Sequence, residues 1–158
     1  MRSFPEREDG FSLVEIMVVV LIIAVLIGIA IPTFLGMRQR AQDAAAKDSA
    51  ALSLKIARGF ATDENEDFST LSTSSMNENE PSLTFVDGDV SSQGSKEVSQ
   101  MVADAGAGDE IFVAAVQSES GACFFVRMFA HGGTDYGEVA GTDCRAADNG
   151  SVVFGPSW

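Results

Sequence analysis

From Ile16 to Ile31 sixteen consecutive side chains carry no polar group, and whatever this chain folds into must first find a place for that run. Between Phe11 and Met37, a stretch of 27 residues, Glu15 is the only ionisable group. At about 1.5 Å per residue a helix of this length spans about 40 Å, ample for a hydrocarbon core of about 30 Å. A carboxylate inside such a segment costs on the order of 3 kcal/mol at mid-bilayer, and less near an interface. Glu15 is therefore a functional candidate by default, because a plain anchor would carry no charge there.

Setting the apolar segment aside leaves about 120 residues, enough for one small core. That remainder is rich in Gly, Ser and Asp, and the chain as a whole has a net charge of −13. Such a surface keeps an exported domain soluble and makes a nucleic-acid backbone an unfavourable partner. Met1–Gly10 reads as a short polar leader containing Arg2, Pro5, Glu6, Arg7, Glu8 and Asp9. It differs from an ordinary secretory signal, in which the small-residue cleavage site follows the apolar run. Here Gly10 precedes the run, so cleavage after it would remove the leader and leave the apolar helix on the mature chain.

Gly10-Phe11-Ser12-Leu13-Val14-Glu15, followed by the apolar run, resembles the type IV prepilin signal. Glu15 is the fifth residue counted from Phe11, and Pro32 falls where that family commonly has a proline. The resemblance implies a membrane aspartyl peptidase that cuts after Gly10 and N-methylates the new first residue, Phe11. It implies that Glu15 is the residue of subunit assembly and that the segment Gly28–Pro32 gives way when helices pack. Physical chemistry agrees on the first point. A carboxylate in a packed apolar bundle needs a cation, since a lone buried charge is costly, and no Lys or Arg lies within reach on its own helix face. Cleavage after Gly10 creates a free α-amine on Phe11, which a neighbouring copy can offer to Glu15.

The fold implied is α+β: one long N-terminal helix whose amphipathic half packs on a small antiparallel β-sheet with a C-terminal disulfide loop. The expected division is a leader at 1–10, an apolar half-helix at 11–37, an amphipathic half-helix at 38–62 and an extracellular β-domain at 63–158. The implied partners are further copies of the chain in a helical filament, the prepilin peptidase and methyltransferase, an assembly platform in the membrane, and lipid before assembly. The implied location is the inner membrane in a single pass with a cytoplasmic N-terminus, then an extracellular pilus. Charge does not set that orientation: Arg2 and Arg7 oppose Glu6, Glu8 and Asp9, and Arg38 and Arg40 follow the segment. The motif serves equally a pilin and a pseudopilin of a type II secretion or competence machine; a non-polymerising single-pass anchored binding protein is the reading from another class.

Beyond Gly36, the residues Ala41, Ala44, Ala45, Leu52, Ile56 and Phe60 recur at three- and four-residue spacing and predict an amphipathic helix ending near Thr62–Asn65. Pro32 removes one helix hydrogen bond and Gly28 weakens the turn above it, so both mark a candidate kink. Residues 63–80 read as a polar surface loop. Strands are expected at Leu83–Val86, Val98–Val102, Ile111–Gln117 and Ala122–Ala130, the last two joined by a tight Ser118–Gly121 turn. In the last strand Phe124, Val126, Met128 and Ala130 share an apolar face, expected to lie on the helix around Leu52, Ile56 and Phe60. Cys123 is then on the opposite face. A bond to Cys144, resembling the family's disulfide loop, would fold the Gly-rich tail from His131 to Asp143 over it; two reduced, buried cysteines are the alternative.

Other motifs carry little chemistry. His131 is the only histidine, stands at a strand end and has no nucleophile motif beside it. Asp87-Gly88-Asp89 is an acidic turn that lacks the further oxygen ligands of a calcium loop. The stretch Gly106–Gly108 has no phosphate-binding context, and Phe11, Phe34 and Phe60 read as packing residues. The expectation is a structural protein, with no enzymatic activity, cofactor or metal.

Overall fold

A computed structural model describes residues 10–63, 67–68, 70–106, 109–141 and 143–158. The chain divides into two compact units, Met1–Arg38 and Gln39–Trp158. Helix α1 covers Leu13–Asp63 and is continuous through Pro32. Its first turn is closed by the Ser12 carbonyl, which accepts from the amides of Glu15 and Ile16 at 3.1 and 3.3 Å. Within the first unit the helix is exposed on every side.

In the second unit α1 lies against a six-stranded sheet ordered β1-β2-β3-β4-β5-β6. The strands are β1 (Thr84–Asp87), β2 (Glu97–Gly106), β3 (Asp109–Gln117), β4 (Ala122–Phe129), β5 (Thr134–Ala140) and β6 (Phe154–Gly155). All neighbours are antiparallel except β1 and β2, which run parallel. The four strands expected from sequence are present, and Ser118–Gly121 forms the tight turn between β3 and β4. Gly121 adopts φ +93° there, a conformation that favours glycine.

The helix meets the sheet mainly through small side chains, with the expected Leu52, Ile56 and Phe60 packed along the edge of that contact. Ala46, Ala50, Leu54, Ala57 and Ala61 are buried, together with Ser53. Leu52, Ile56 and Phe60 sit half-buried beside that face, and Ala41, Ala44 and Ala45 are exposed. The volume comes from the other side of the core, where Phe85, Phe112, Phe124, Val126, Met128 and the loop residue Phe68 fill the interior. A row of alanines lets the helix axis approach the sheet, while a row of Leu, Ile and Phe would hold it off.

Two further elements depart from expectation. The polar run after α1 contains a short helix α2, Thr73–Asn79, started by a capping box in which Ser72 and Ser75 exchange hydrogen bonds and anchored by buried Met76. The Gly-rich tail contributes β5, and β6 pairs with it through Tyr136↔Gly155 and Gly137↔Phe154. At Gly137 a Cβ would lie 2.4 Å from Val152 Cγ1, so only glycine lets the last segment come this close.

The outer face of the sheet has its own small core. Val113, Ala115, Cys123, Phe125, Cys144 and Ala146 are buried together. Cys123 and Cys144 are bonded, with their Cα atoms 5.6 Å apart. A 3-10 turn, Ala146–Ser151, completes this layer.

Candidate assembly site

Nineteen large apolar side chains between Phe11 and Met37 are exposed, from Phe11 at 79% to Val19 at 47%. At about 1.5 kcal/mol or more for each, leaving them in water would cost on the order of 30 kcal/mol. A whole domain is stable by only about 5–15 kcal/mol. This surface must therefore be covered by lipid or by other helices, and the helix is long and apolar enough to cross a membrane.

Glu15 stands in the first turn of α1. The partial positive charge of a helix N-terminus favours a carboxylate at that place. Its side chain is exposed and has no ion pair or side-chain hydrogen bond among the described residues. Phe11, one turn earlier, is also exposed. The carboxylate and the Phe11 nitrogen, which the expected cleavage after Gly10 would free as an amine, thus stand at the same end of one apolar rod, neither engaged by a side chain among the described residues. At Pro32 the missing N–H leaves the Gly28 carbonyl without its i+4 donor, and Thr33 Oγ1 donates to Ile29 O at 3.5 Å just beyond. Gly28 and Pro32 are helical here.

In the β-domain, Asp43 of α1 accepts from Ser118 Oγ at 2.7 Å and from Ser120 Oγ at 2.5 Å, while Gln42 donates to Glu119 Oε2 at 2.9 Å. This clamp between helix and turn was invisible in the sequence, since its partners are more than 70 residues apart. The Cys144 segment is held by the β1–β2 loop: Cys144 N donates to Ser91 Oγ at 2.8 Å and Ser92 N to Cys144 O at 2.9 Å. Arg145, hydrogen-bonded and ion-paired with Asp143, holds the Asp143 carboxyl below the usual carboxylate range, and the same pair raises the Arg145 value.

The other sequence candidates are dispersed. His131 is exposed, with Nδ1 3.3 Å from Asp109 Oδ1. Asp87 accepts from Thr73 Oγ1 at 2.5 Å, and Asp89 contributes to the field at Arg145. Among the described residues no group of three or more His, Cys, Asp or Glu side chains is placed to hold a metal. Gly106 ends β2, and residues 107–108 lie outside the described residues, as do most of the leader and the expected helix stop at 64–65.

The family described as the prokaryotic N-terminal methylation motif matches residues 7–31, about a sixth of the chain. No curated protein and no solved structure matches. The match spans Gly10, Phe11 and Glu15, and it implies processing by a prepilin peptidase and assembly into pilus-like filaments. The matched signal, the exposed apolar helix, the disulfide and the sheet are features of a membrane-anchored protein of the general type IV pilin-like kind, a kind that includes pseudopilins.

Proposed function

We propose that the protein is a structural subunit of a type IV pilus and has no catalytic role. It is cut after Gly10, methylated at the Phe11 amine, held in the inner membrane with its N-terminus in the cytoplasm, and polymerised into an extracellular filament for adhesion, motility or DNA uptake. The observation that carries this reading is Glu15, a single carboxylate at the mouth of an apolar helix with no partner among the described residues. In the filament it pairs with the Phe11 amine of an adjacent copy, which fixes register because each subunit supplies one charge and receives the other. Gly28 and Pro32 supply the compliance that packing in the filament core demands.

A pseudopilin of a secretion or competence machine would share every one of these features and differ in the reach of its polymer. Mass spectrometry of the chain recovered from membranes and from sheared cell-surface material tests the proposal. A chain beginning at methylated Phe11 in long, sheared filaments supports the pilus. Processed chain that stays with the cell, with loss of protein secretion on its deletion, supports the pseudopilin. A chain that keeps its leader contradicts both.

A further inference from the structure

The charges of this chain are unevenly divided. Residues 38–61 hold Arg38, Arg40, Lys47, Lys55 and Arg58 against Asp43 and Asp48, a net charge of +3. Residues 62–158 hold seventeen carboxylates against Lys96, Arg127 and Arg145, a net charge of −14. Arg40, Lys47, Lys55 and Arg58 also share one side of α1: at about 100° per residue they fall within about 80° of arc. Exposed Ala44 and half-buried Ala51 lie between them, so the stripe is basic without being crowded.

Two of these cations are engaged at home. Lys47 Nζ is 4.0 Å from Glu138 Oε2 and 4.8 Å above the Phe124 ring. Arg58 reaches Met128 Sδ at 3.4 Å and Thr134 Oγ1 at 3.5 Å. Arg40 and Lys55 are exposed and have no carboxylate partner among the described residues. Lys55 and Arg58 also border a groove of about 190 Å³ between α1 and β5, lined besides by Ala51, Leu54, Thr134 and Tyr136.

We infer that this basic side of α1, with its groove, is a docking surface for the acidic β-domain of a second copy of the chain. The inference rests on the filament-subunit reading and adds to it a contact outside the apolar core. Charge complementarity argues for the occupant: every copy carries both a +3 segment of α1 and a −14 remainder, so a head-to-tail contact satisfies one with the other and can repeat. An anionic membrane surface is the poorer match, since it would draw seventeen carboxylates toward negative headgroups. The contact also answers a problem of assembly, because copies this acidic repel one another unless opposite charges are interleaved.

The sequence has three lysines, Lys47, Lys55 and Lys96, which makes the contact traceable. Full-length chains, half of them isotopically heavy, are treated with a zero-length carbodiimide in membranes and in neutral detergent, and linked peptides are read by mass spectrometry. The expected products are mixed light–heavy pairs joining Lys55 to carboxylates within 62–158, decreasing as salt is raised. Arg40→Gln should lower their yield about threefold, as the loss of one exposed pair would, while an unchanged urea midpoint shows that the variant has folded. Lys55 links confined to single copies, links indifferent to salt, or links that form only after anionic lipid is added would overturn the inference. Electron microscopy of the same samples separates the two claims. Filaments without mixed Lys55 links overturn the docking surface and leave the subunit reading standing; mixed links in chains matured in cells by cleavage after Gly10, with no filaments on those cells, do the reverse.

Discussion

Cys123 on β4 is bonded to Cys144, 21 residues later, across the face of the sheet that α1 does not cover. The bond pins the return segment over Val113, Ala115 and Phe125, so the sheet has a core on both sides. Closing a loop of this length stabilises a fold by about 3 kcal/mol. Replacing both cysteines by serine should lower the unfolding free energy of the β-domain by about that amount, read as a lower urea midpoint for the full chain in detergent. An unchanged midpoint would mean that the outer layer holds without its cross-link.

Gly137 tests the same layer from the other end. With a Cβ there 2.4 Å from Val152 Cγ1 and 3.2 Å from the Val153 carbonyl, Gly137→Ala should cost about 1–3 kcal/mol. Val152 is β-branched and stiff at χ1, so the segment must move as a whole. Amide exchange at Phe154 and Gly155 should rise well before exchange in β3 or β4 does. Equal exchange in both variants would show that Val152 simply turns aside.

Glu110 sets a pH dependence. The Phe68 amide, donating to Glu110 Oε2 at 2.8 Å, favours its ionised form, but the hydrogen bond to Asp67, partial burial and the charges of Asp67 and Asp104 together outweigh it. Its folded value is therefore raised above the ordinary carboxylate value. A raised acid binds its proton more tightly in the folded state, so this stability is complete below the unfolded value and is lost as pH rises through the folded one. Thermal melts taken upward from the ordinary glutamate range should show a decline that Glu110→Gln abolishes. A decline that persists in Glu110→Gln would place its source elsewhere.

Much of this architecture is legible in the residues. The Ile16–Ile31 run, the register of Gly10, Phe11 and Glu15, and the alternation through Phe124, Val126 and Met128 each carry their meaning locally. What was not legible depends on distant partners or on size rather than polarity. The centre of the packed side of α1 is the alanine row, because closeness of approach, and not side-chain bulk, decides which residues are most buried; Leu52, Ile56 and Phe60 pack against the same core from its flank. Strand β5, Thr134–Ala140, has weak alternation and a central glycine, and it is held by β4 on one side and β6 on the other. Helix α2 buries only Met76 and is started by serines that read equally well as loop. Asp43 gave no sign of its bonds to Ser118 and Ser120, which exist only once the β3–β4 turn is folded against the helix.

The account turns on Glu15 and the amine that cleavage creates on Phe11. The most direct measurement is electron microscopy of surface filaments from cells producing Glu15→Ala in place of the native chain, with the processed N-terminus and membrane content measured in parallel. The account predicts that the variant is cleaved after Gly10, retained in the membrane at the native level and absent from filaments. Filaments of native number and length built from Glu15→Ala would contradict it.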